Sequence, residues 1–296
     1  MLHDQKIDTI ICDKLKIDTP EAEFAIWDKI IENLENPQHM INIAMVGKYV
    51  DLTESYKSLN EALIHAGIHA KTRVNIRYID AETLDRVTIT QLDKVDAILV
   101  PGGFGSRGVE GKIKAIEYAR TQNIPFLGIC LGMQLSVVEY ARNVCGYKDA
   151  NSTEFNKDTS FPIIAIIDEW EDKSGNIETR NENTDMGGTM RLGSQDAQLH
   201  DGSLAAKIYG ANLIHERHRH RYEVNNSLIS KLSDNGLVIG GTSIGREKLV
   251  ETIELPQHKW FFACQFHPEF TSNPRQGHPL FSAFINAALE NSQQKG

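Results

Sequence analysis

A cysteine bracketed by glycines, Gly128-Ile129-Cys130-Leu131-Gly132, closes the apolar run Ile124–Cys130 and precedes a stretch of helical patterning, Gln134–Tyr140. This is G-x-C-x-G, the thiol form of the nucleophile elbow. A sharp strand-to-helix turn crowds the positions two residues to either side of the nucleophile, Gly128 and Gly132, which therefore carry no side chain. The helix behind the turn points its positive end at the sulfur and favours thiolate. Its first amides can also face a developing oxyanion. A buried cysteine in a glycine-bounded turn would read the same way in isolation, so the partners matter.

A thiol nucleophile needs a base to take and return protons. His267 follows the apolar run Trp260–Phe266 within Cys264-Gln265-Phe266-His267-Pro268-Glu269, so it emerges at a strand end, where functional groups gather in open α/β sheets. Glu269 lies close enough in sequence to hold the second imidazole nitrogen, as the third member of a triad does. Pro101-Gly102-Gly103-Phe104-Gly105 ends another apolar run, and its unobstructed amides suit an oxyanion hole shared with Leu131.

Taken in order, PGGFG, GICLGMQ and QFHPEF resemble the class I, triad-type glutamine amidotransferases. Longer stretches are similar to CTP synthase: PGGFGSRGVEGK, DANSTEF (Asp149–Phe155), GGTMRLG (Gly187–Gly193), HERHRHRYEVN (His215–Asn225) and CQFHPEFTSNPRQGHPLF (Cys264–Phe281). The resemblance implies Cys130 as nucleophile with His267 and Glu269 as partners, and the amides of Gly103 and Leu131 as oxyanion donors. It places Leu131, Gly132, Met133 and Gln134 along the bound L-glutamine, with Glu154 on its α-amino group and Arg221 on its α-carboxylate. A zwitterionic substrate calls for one fixed charge of each sign. For Arg217 and Arg219 a solvated charge run is the alternative reading. The resemblance also implies a GTP-responsive lid at Arg107, Gly108 and Glu110, with GTP an allosteric activator. No cofactor or metal is expected in this part. ATP, Mg2+ and UTP would belong to a synthase domain that receives the ammonia, within a homotetrameric enzyme.

The elements that must position these groups fall into two patterns. Ile41–Val46, Arg73–Ile79, Val95–Pro101 and Ile124–Cys130 are short apolar runs, separated by the helical stretches Ser55–Ala66 and Glu110–Arg120. Such alternation predicts a flavodoxin-like α/β fold, a mostly parallel sheet with helices on both faces. Further on, Ile163–Ile167, Gly188–Leu192, Leu249–Leu255 and Trp260–Phe266 predict antiparallel strands that extend it, and His278–Leu289 a closing helix. Asp168–Gly187 reads as a polar loop, and Gly105–Lys112 as a charged, glycine-rich lid loop. Before residue 41, residues 7–12 read as a short strand. Thr19 and Pro20 then start a helix with an apolar stripe at Phe24, Trp27, Ile30, Ile31 and Leu34, stopped by Asn36-Pro37. Residues 1–40 are expected to be the tail of the synthase domain plus a linker helix, and 41–296 the glutaminase domain. Thirty-six residues cannot hold a nucleotide-aminating domain and no G-x-x-x-x-G-K-[ST] occurs, so a fragment that hydrolyses glutamine is expected.

Composition excludes other classes. A formal net charge of −9 over 296 residues argues against nucleic-acid backbone binding. No apolar run is long enough to span a membrane, and the N-terminus has no secretory pattern. The four cysteines form no C-x-x-C pair and are expected as free thiols in a reducing cytoplasm. Gly103–Gly108 formally matches G-x-G-x-x-G, but it follows the third strand rather than the first, with no acidic residue at the expected distance. The loop ending Gly111-Lys112 is one residue too long for a phosphate loop, and Ile113 stands where Ser or Thr is needed. His215, His218 and His220 are interleaved with arginines that would repel a metal cation. Three other readings keep their place: a stand-alone γ-glutamyl hydrolase, a catalytically dead regulatory homologue, and an assembly module.

Overall fold

The computed structural model describes residues 4–20, 22–48, 53–84, 88–166, 169–171, 177–179 and 190–295. Three apolar runs build the first parallel strands: β1 (His39–Gly47), β2 (Thr72–Asp80) and β3 (Ala97–Val100), with β1 central between the other two. β4 (Phe126–Ile129) pairs parallel to β3 and leads directly into the elbow. Helix α3 (Lys57–His69) links β1 to β2 and α4 (Val109–Thr121) links β3 to β4, a 3-10 turn at Thr88–Leu92 lies between β2 and β3, and α5 (Leu131–Asn143) follows β4. β1, β3 and β4 are buried on both faces, which is why they read as near-continuous apolar runs, whereas β2 at the sheet edge alternates polar and apolar residues.

Two short helices, α1 (Ile7–Leu15) and α2 (Ala25–Glu35), precede this unit. Residues 7–12, expected as a strand, form α1. A short apolar run cannot distinguish the two by periodicity, whereas Asp8 in the first turn and Lys14 in the last complement the helix dipole. The second helix begins at Ala25, not at Thr19-Pro20; among the described residues the Thr19 hydroxyl donates to the Pro20 carbonyl and caps no amide. Of its expected stripe only Ile30 is buried, while Trp27, Ile31 and Leu34 are exposed.

Beyond α5 the chain forms β5 (Ala150–Ser152) and β6 (Phe161–Ile166), then β7 (Glu169–Glu171) and β8 (Ile177–Thr179), a small antiparallel ladder. The polar segment expected as a loop thus contains strand pairing; its remaining residues, with Gly187–Thr189, lie outside the described residues. After β9 (Arg191–Leu199) come α6 (Leu204–Tyr209), β10 (Leu213–His220), β11 (Tyr222–Val224), α7 (Ile229–Ser233), β12 (Val238–Ser243), β13 (Val250–Glu254), β14 (Phe261–Cys264) and α8 (Pro279–Lys295).

Among the described residues the main sheet has nine strands in the order β10-β9-β12-β13-β14-β4-β3-β1-β2. Its β14-to-β2 half is parallel and the rest antiparallel. This is the flavodoxin-like α/β architecture with an antiparallel extension that the sequence predicts. Alternating side chains divide the core. On β3, Ile98 and Val100 join Ile113, Ile116 and Val137 on the α4–α5 face, whereas Ala97 and Leu99 join Leu63, Phe281 and Phe284 on the α3–α8 face. No described helix is long and apolar enough to cross a membrane.

Candidate active site

Cys130 sits between β4 and α5 at φ 53°, ψ −104°, a region that costs a non-glycine residue about 1–3 kcal/mol. The surroundings over-determine it. Its amide donates to the Cys264 carbonyl at 2.7 Å, and its own carbonyl accepts from the amides of Met133 and Gln134 at 3.0 and 3.1 Å. The flanking glycines are required by close approach: a Cβ on Gly132 would lie 2.1 Å from the Val100 carbonyl oxygen, and one on Gly128 only 2.9 Å from Gly132 backbone. Leu131 occupies the first helical position, where an amide has no intrahelical acceptor.

β14 runs parallel beside β4, pairing Cys264 with Ile129, so the chain that leaves β14 delivers His267 next to the elbow. The His267 amide donates to the Arg217 carbonyl at 2.7 Å, and its Nδ1 meets Glu269 Oε1 at 2.7 Å. Burial alone would lower the imidazole pKa. The Cys130 thiolate, through charge and hydrogen bond, and then Glu269 outweigh it and push it up to about 10. An imidazolium backed by a carboxylate therefore faces the sulfur whenever the sulfur is ionised.

Cys130 opens into a cavity of about 400 Å³ lined by Gly103, Gln134, Glu154 and Arg221, with Met190 and Tyr222 among its other walls. Glu154 Oε1 accepts from the Gly105 amide at 2.9 Å. Burial raises its pKa, against that amide and the cations Lys48, Arg221 and Lys112. Lys48 in turn donates to the Phe104 carbonyl, so both side chains hold the glycine-rich loop.

A class-I glutamine amidotransferase family model matches residues 51–287. Among solved structures, the glutaminase domain of Trypanosoma brucei CTPS, with acivicin bound, is similar at 38% identity and TM-score 0.75, covering 84% of this chain and 94% of that one. The chain belongs to the class-I glutamine amidotransferases. Amidotransferases from Thermotoga maritima (12% identity, TM-score 0.44, 84% of this chain and 96% of that one) and Methylobacillus flagellatus (13%, 0.44, 77% and 70%) are more remote.

Within this amidotransferase site the sequence-derived residues separate into groups. Cys130, Gly103, Gln134, Glu154 and Arg221 meet at the cavity, with His267 and Glu269 behind the sulfur. Gly132 is packed under Val100, and Met133 points into the core on the α4–α5 face, so neither presents a side chain to the cavity. Arg107 pairs with Glu82, and Glu110 with Arg142 at 3.0 Å. Neither residue lines the cavity. The expected lid loop Gly105–Lys112 is shorter than the sequence suggests. From Val109 it is the first turn of α4, with Gly111 pressed on the Ala81 carbonyl and Lys112 buried.

Lys112, the last residue of the expected lid loop, shares the apolar stripe Val109, Ile113, Ile116 at helical spacing. Its Nζ lies 3.7 Å from a Cβ built on Gly103, and burial, then Lys48, lower its pKa to about 8 against the opposing pull of Cys130 and Glu154. The basic run is split by strand alternation: Glu216, His218 and His220 point inward from β10, while His215, Arg217 and Arg219 point outward. Behind the inward face lies an ion cluster, Arg191 with Glu223 at 3.1 Å and Glu251 at 2.7 Å, all buried. No cluster of metal-ligating side chains occurs among the described residues.

Gly102 carries a prediction of its own. A Cβ there would lie 2.9 Å from His267 Cε1 and 3.4 Å from Cys130 Cβ. Gly102→Ala should push the imidazole off the sulfur and lower kcat for glutamine about 100-fold, because misplacement on the ångström scale is that costly. Thermal melting should stay close to wild type. Unchanged kcat would show that the imidazole has room to move without consequence.

Proposed function

We propose that this domain hydrolyses L-glutamine to glutamate and ammonia through a thioester on Cys130, and that the ammonia serves an attached or partner synthase that aminates UTP to CTP. The observation that carries the first half is the convergence of a nucleophilic thiol, an anionic Glu154 and a cationic Arg221 on one cavity. Glu154 takes the α-ammonium of glutamine and Arg221 its α-carboxylate, which leaves the carboxamide directed at the sulfur.

The thiolate attacks the carboxamide carbon, and the C=O π pair moves to oxygen, where the amides of Gly103 and Leu131 donate to it. His267, protonated and held by Glu269, gives its proton to the departing nitrogen. The C–N bond breaks, ammonia leaves and a thioester remains. The now neutral imidazole takes a proton from water as the oxygen attacks the thioester carbon. Collapse expels the Cys130 thiolate and releases glutamate.

Support for the second half is the similarity at 38% identity to a CTPS glutaminase domain, together with the CTP-synthase-like stretches of sequence. In this reading ATP, Mg2+ and UTP act on the synthase side, and the functional assembly is a homotetramer. GTP activates by engaging Arg107, Gly108 and Glu110, so that it competes with Glu82 for the Arg107 guanidinium.

Glu154→Gln and Arg221→Met test the site. Each removes one charge-assisted contact worth about 1.5–3 kcal/mol, so KM for glutamine should rise roughly 10- to 100-fold. Alkylation of Cys130 by iodoacetamide should stay within about twofold of wild type, since neither side chain activates sulfur. A variant that loses alkylation as steeply as glutamine turnover would overturn the assignment of these charges to the substrate.

A further inference from the structure

Gln265 lies between the two motif residues Cys264 and His267, is wholly buried, and plays no part in the triad. Its Nε2 stands 3.8 Å from Cys130 Sγ, within hydrogen-bond range for sulfur. Its Oε1 is 3.2 Å from Gln134 Nε2, and the same Gln134 nitrogen is 2.9 Å from the Tyr222 carbonyl oxygen. The direction of this chain is fixed at its far end. A backbone carbonyl only accepts, so Gln134 must present its NH2 group to Tyr222. The second hydrogen of that group then faces Gln265, which must answer with its oxygen. That leaves the NH2 of Gln265 pointing at the sulfur. On another side of Cys130 the Arg219 carbonyl lies 4.0 Å away and can only accept.

We propose that Gln265 is a fixed hydrogen-bond donor to the Cys130 thiolate, oriented by Gln134 as a positioning residue anchored on the Tyr222 carbonyl. The neutral thiol donates its proton toward an acceptor such as the Arg219 carbonyl. Once that proton has gone to His267, the sulfur becomes an acceptor and the Gln265 amide is already aimed at it. The donor is neutral, so it favours thiolate without the attraction that would make a cation hold the sulfur back from attack. It is also restored unchanged when the thioester is hydrolysed and the thiolate leaves. This rests on the reading of Cys130 as nucleophile and adds to it the means by which the anionic form is kept ready before glutamine arrives.

The test is the pH profile of Cys130 alkylation by iodoacetamide on the whole chain, in which sulfur forms a bond to the methylene carbon and iodide leaves with its electron pair. The other charged or titratable groups that face the sulfur, or the groups packed on it, are His267, Glu269, Lys112, Cys264, Glu154, Arg219 and Arg221, and all are kept. Gln265→Met removes the donor at similar length, and the pH of half-maximal alkylation should move up by about half a unit to one unit. Gln265→Glu replaces donor by anion and should move it by more than one unit, slowing alkylation at pH 7 about tenfold. Gln134→Met leaves Gln265 in place but frees its orientation, and should give a smaller upward move.

A merely structural role would lower the melting temperature and scale the whole profile without displacing its midpoint. Midpoints that coincide with wild type in the folded variants overturn the proposal, and Gln265→Met decides if Gln265→Glu does not fold. Peptide mapping against Cys130→Ser separates the two readings. If label resides elsewhere than Cys130, the nucleophile assignment falls and takes this proposal with it. If Cys130 is labelled and the midpoints do not move, Gln265 alone loses its role.

Discussion

Cys130→Ser should reduce glutamate release at least about a thousandfold, at the level of removing a nucleophile from a triad elsewhere. Serine fits the space, so the backbone constraint at φ 53° and the bond to the Cys264 carbonyl should survive. What changes is the atom. A hydroxyl does not ionise near neutral pH, and the arrangement around it is built for an anion that exists before substrate binds. A thiolate at Cys130, with Glu269, pushes the His267 pKa up to about 10, so an imidazolium faces the sulfur whenever the sulfur is ionised. With oxygen in place of sulfur the imidazole would be neutral and would have to remove a proton during attack, from an elbow that was not arranged for that step. Glutamate release and thermal melting measured on the same preparation check this. Release near the wild-type rate, with the fold intact, would mean that another residue carries the acyl group.

Arg191→Met should have the largest effect on stability. Arg191 is buried between Glu223 and Glu251, themselves buried, and the side chains of His218 and His220 lie 3.7 and 3.4 Å from those two carboxylates. His218 is held neutral by burial and then by Arg191 itself. Removing the guanidinium leaves two acids without their main counter-charge, which in buried pairs costs about 3–5 kcal/mol. For a chain of this size the melting temperature should fall on the order of 10 °C.

The sign of its pH dependence follows from Glu251. Burial raises that carboxyl above its usual range, and Arg191 is what opposes the rise. Without Arg191 the folded pKa climbs further above the unfolded one. The protonated form is then favoured by folding, and stability drains away as pH rises through the carboxylate range and beyond. The variant should therefore lose more at pH 8 than at pH 5, and adding Glu251→Gln should recover part of the loss. A melting temperature within about 3 °C of wild type at pH 8 would show that the cluster relaxes or admits water.

The central parallel strands were legible because burial on both faces selects short apolar runs, and the alternation of Ile41–Val46 and Ile124–Cys130 with helical stretches marks them as strands. The elbow was legible because its glycines answer to contacts that no side chain survives. Other parts were hidden for physical reasons. The apolar run of residues 7–12 is compatible with strand or helix, and α1 buries none of its residues, so no packing face declares which. The run His215–Arg221 reads as one basic patch until strand geometry sends alternate members to opposite sides. Glu251 sits in a strand buried throughout, where an acid makes sense only beside Arg191, about sixty positions earlier in the chain. Lys112 was visible as a charge at an apolar phase of α4, a signal that a motif search passes over. Gln265 was in plain view between Cys264 and His267, but only the third dimension shows its amide turned toward the sulfur.

The pairing of β14 with β4 has a temporal consequence. The thiol and its base are neighbours only because two strands far apart in the chain lie side by side, and such non-local contacts close slowly and late. A growing polypeptide exposes Cys130 long before His267 has been synthesised. In the interval the elbow has neither its base nor the Cys264 carbonyl that holds its amide. Thiol chemistry is thus switched on by completion of the sheet, and the rate at which Cys130 becomes reactive during refolding reports when the last parallel strand slides into place.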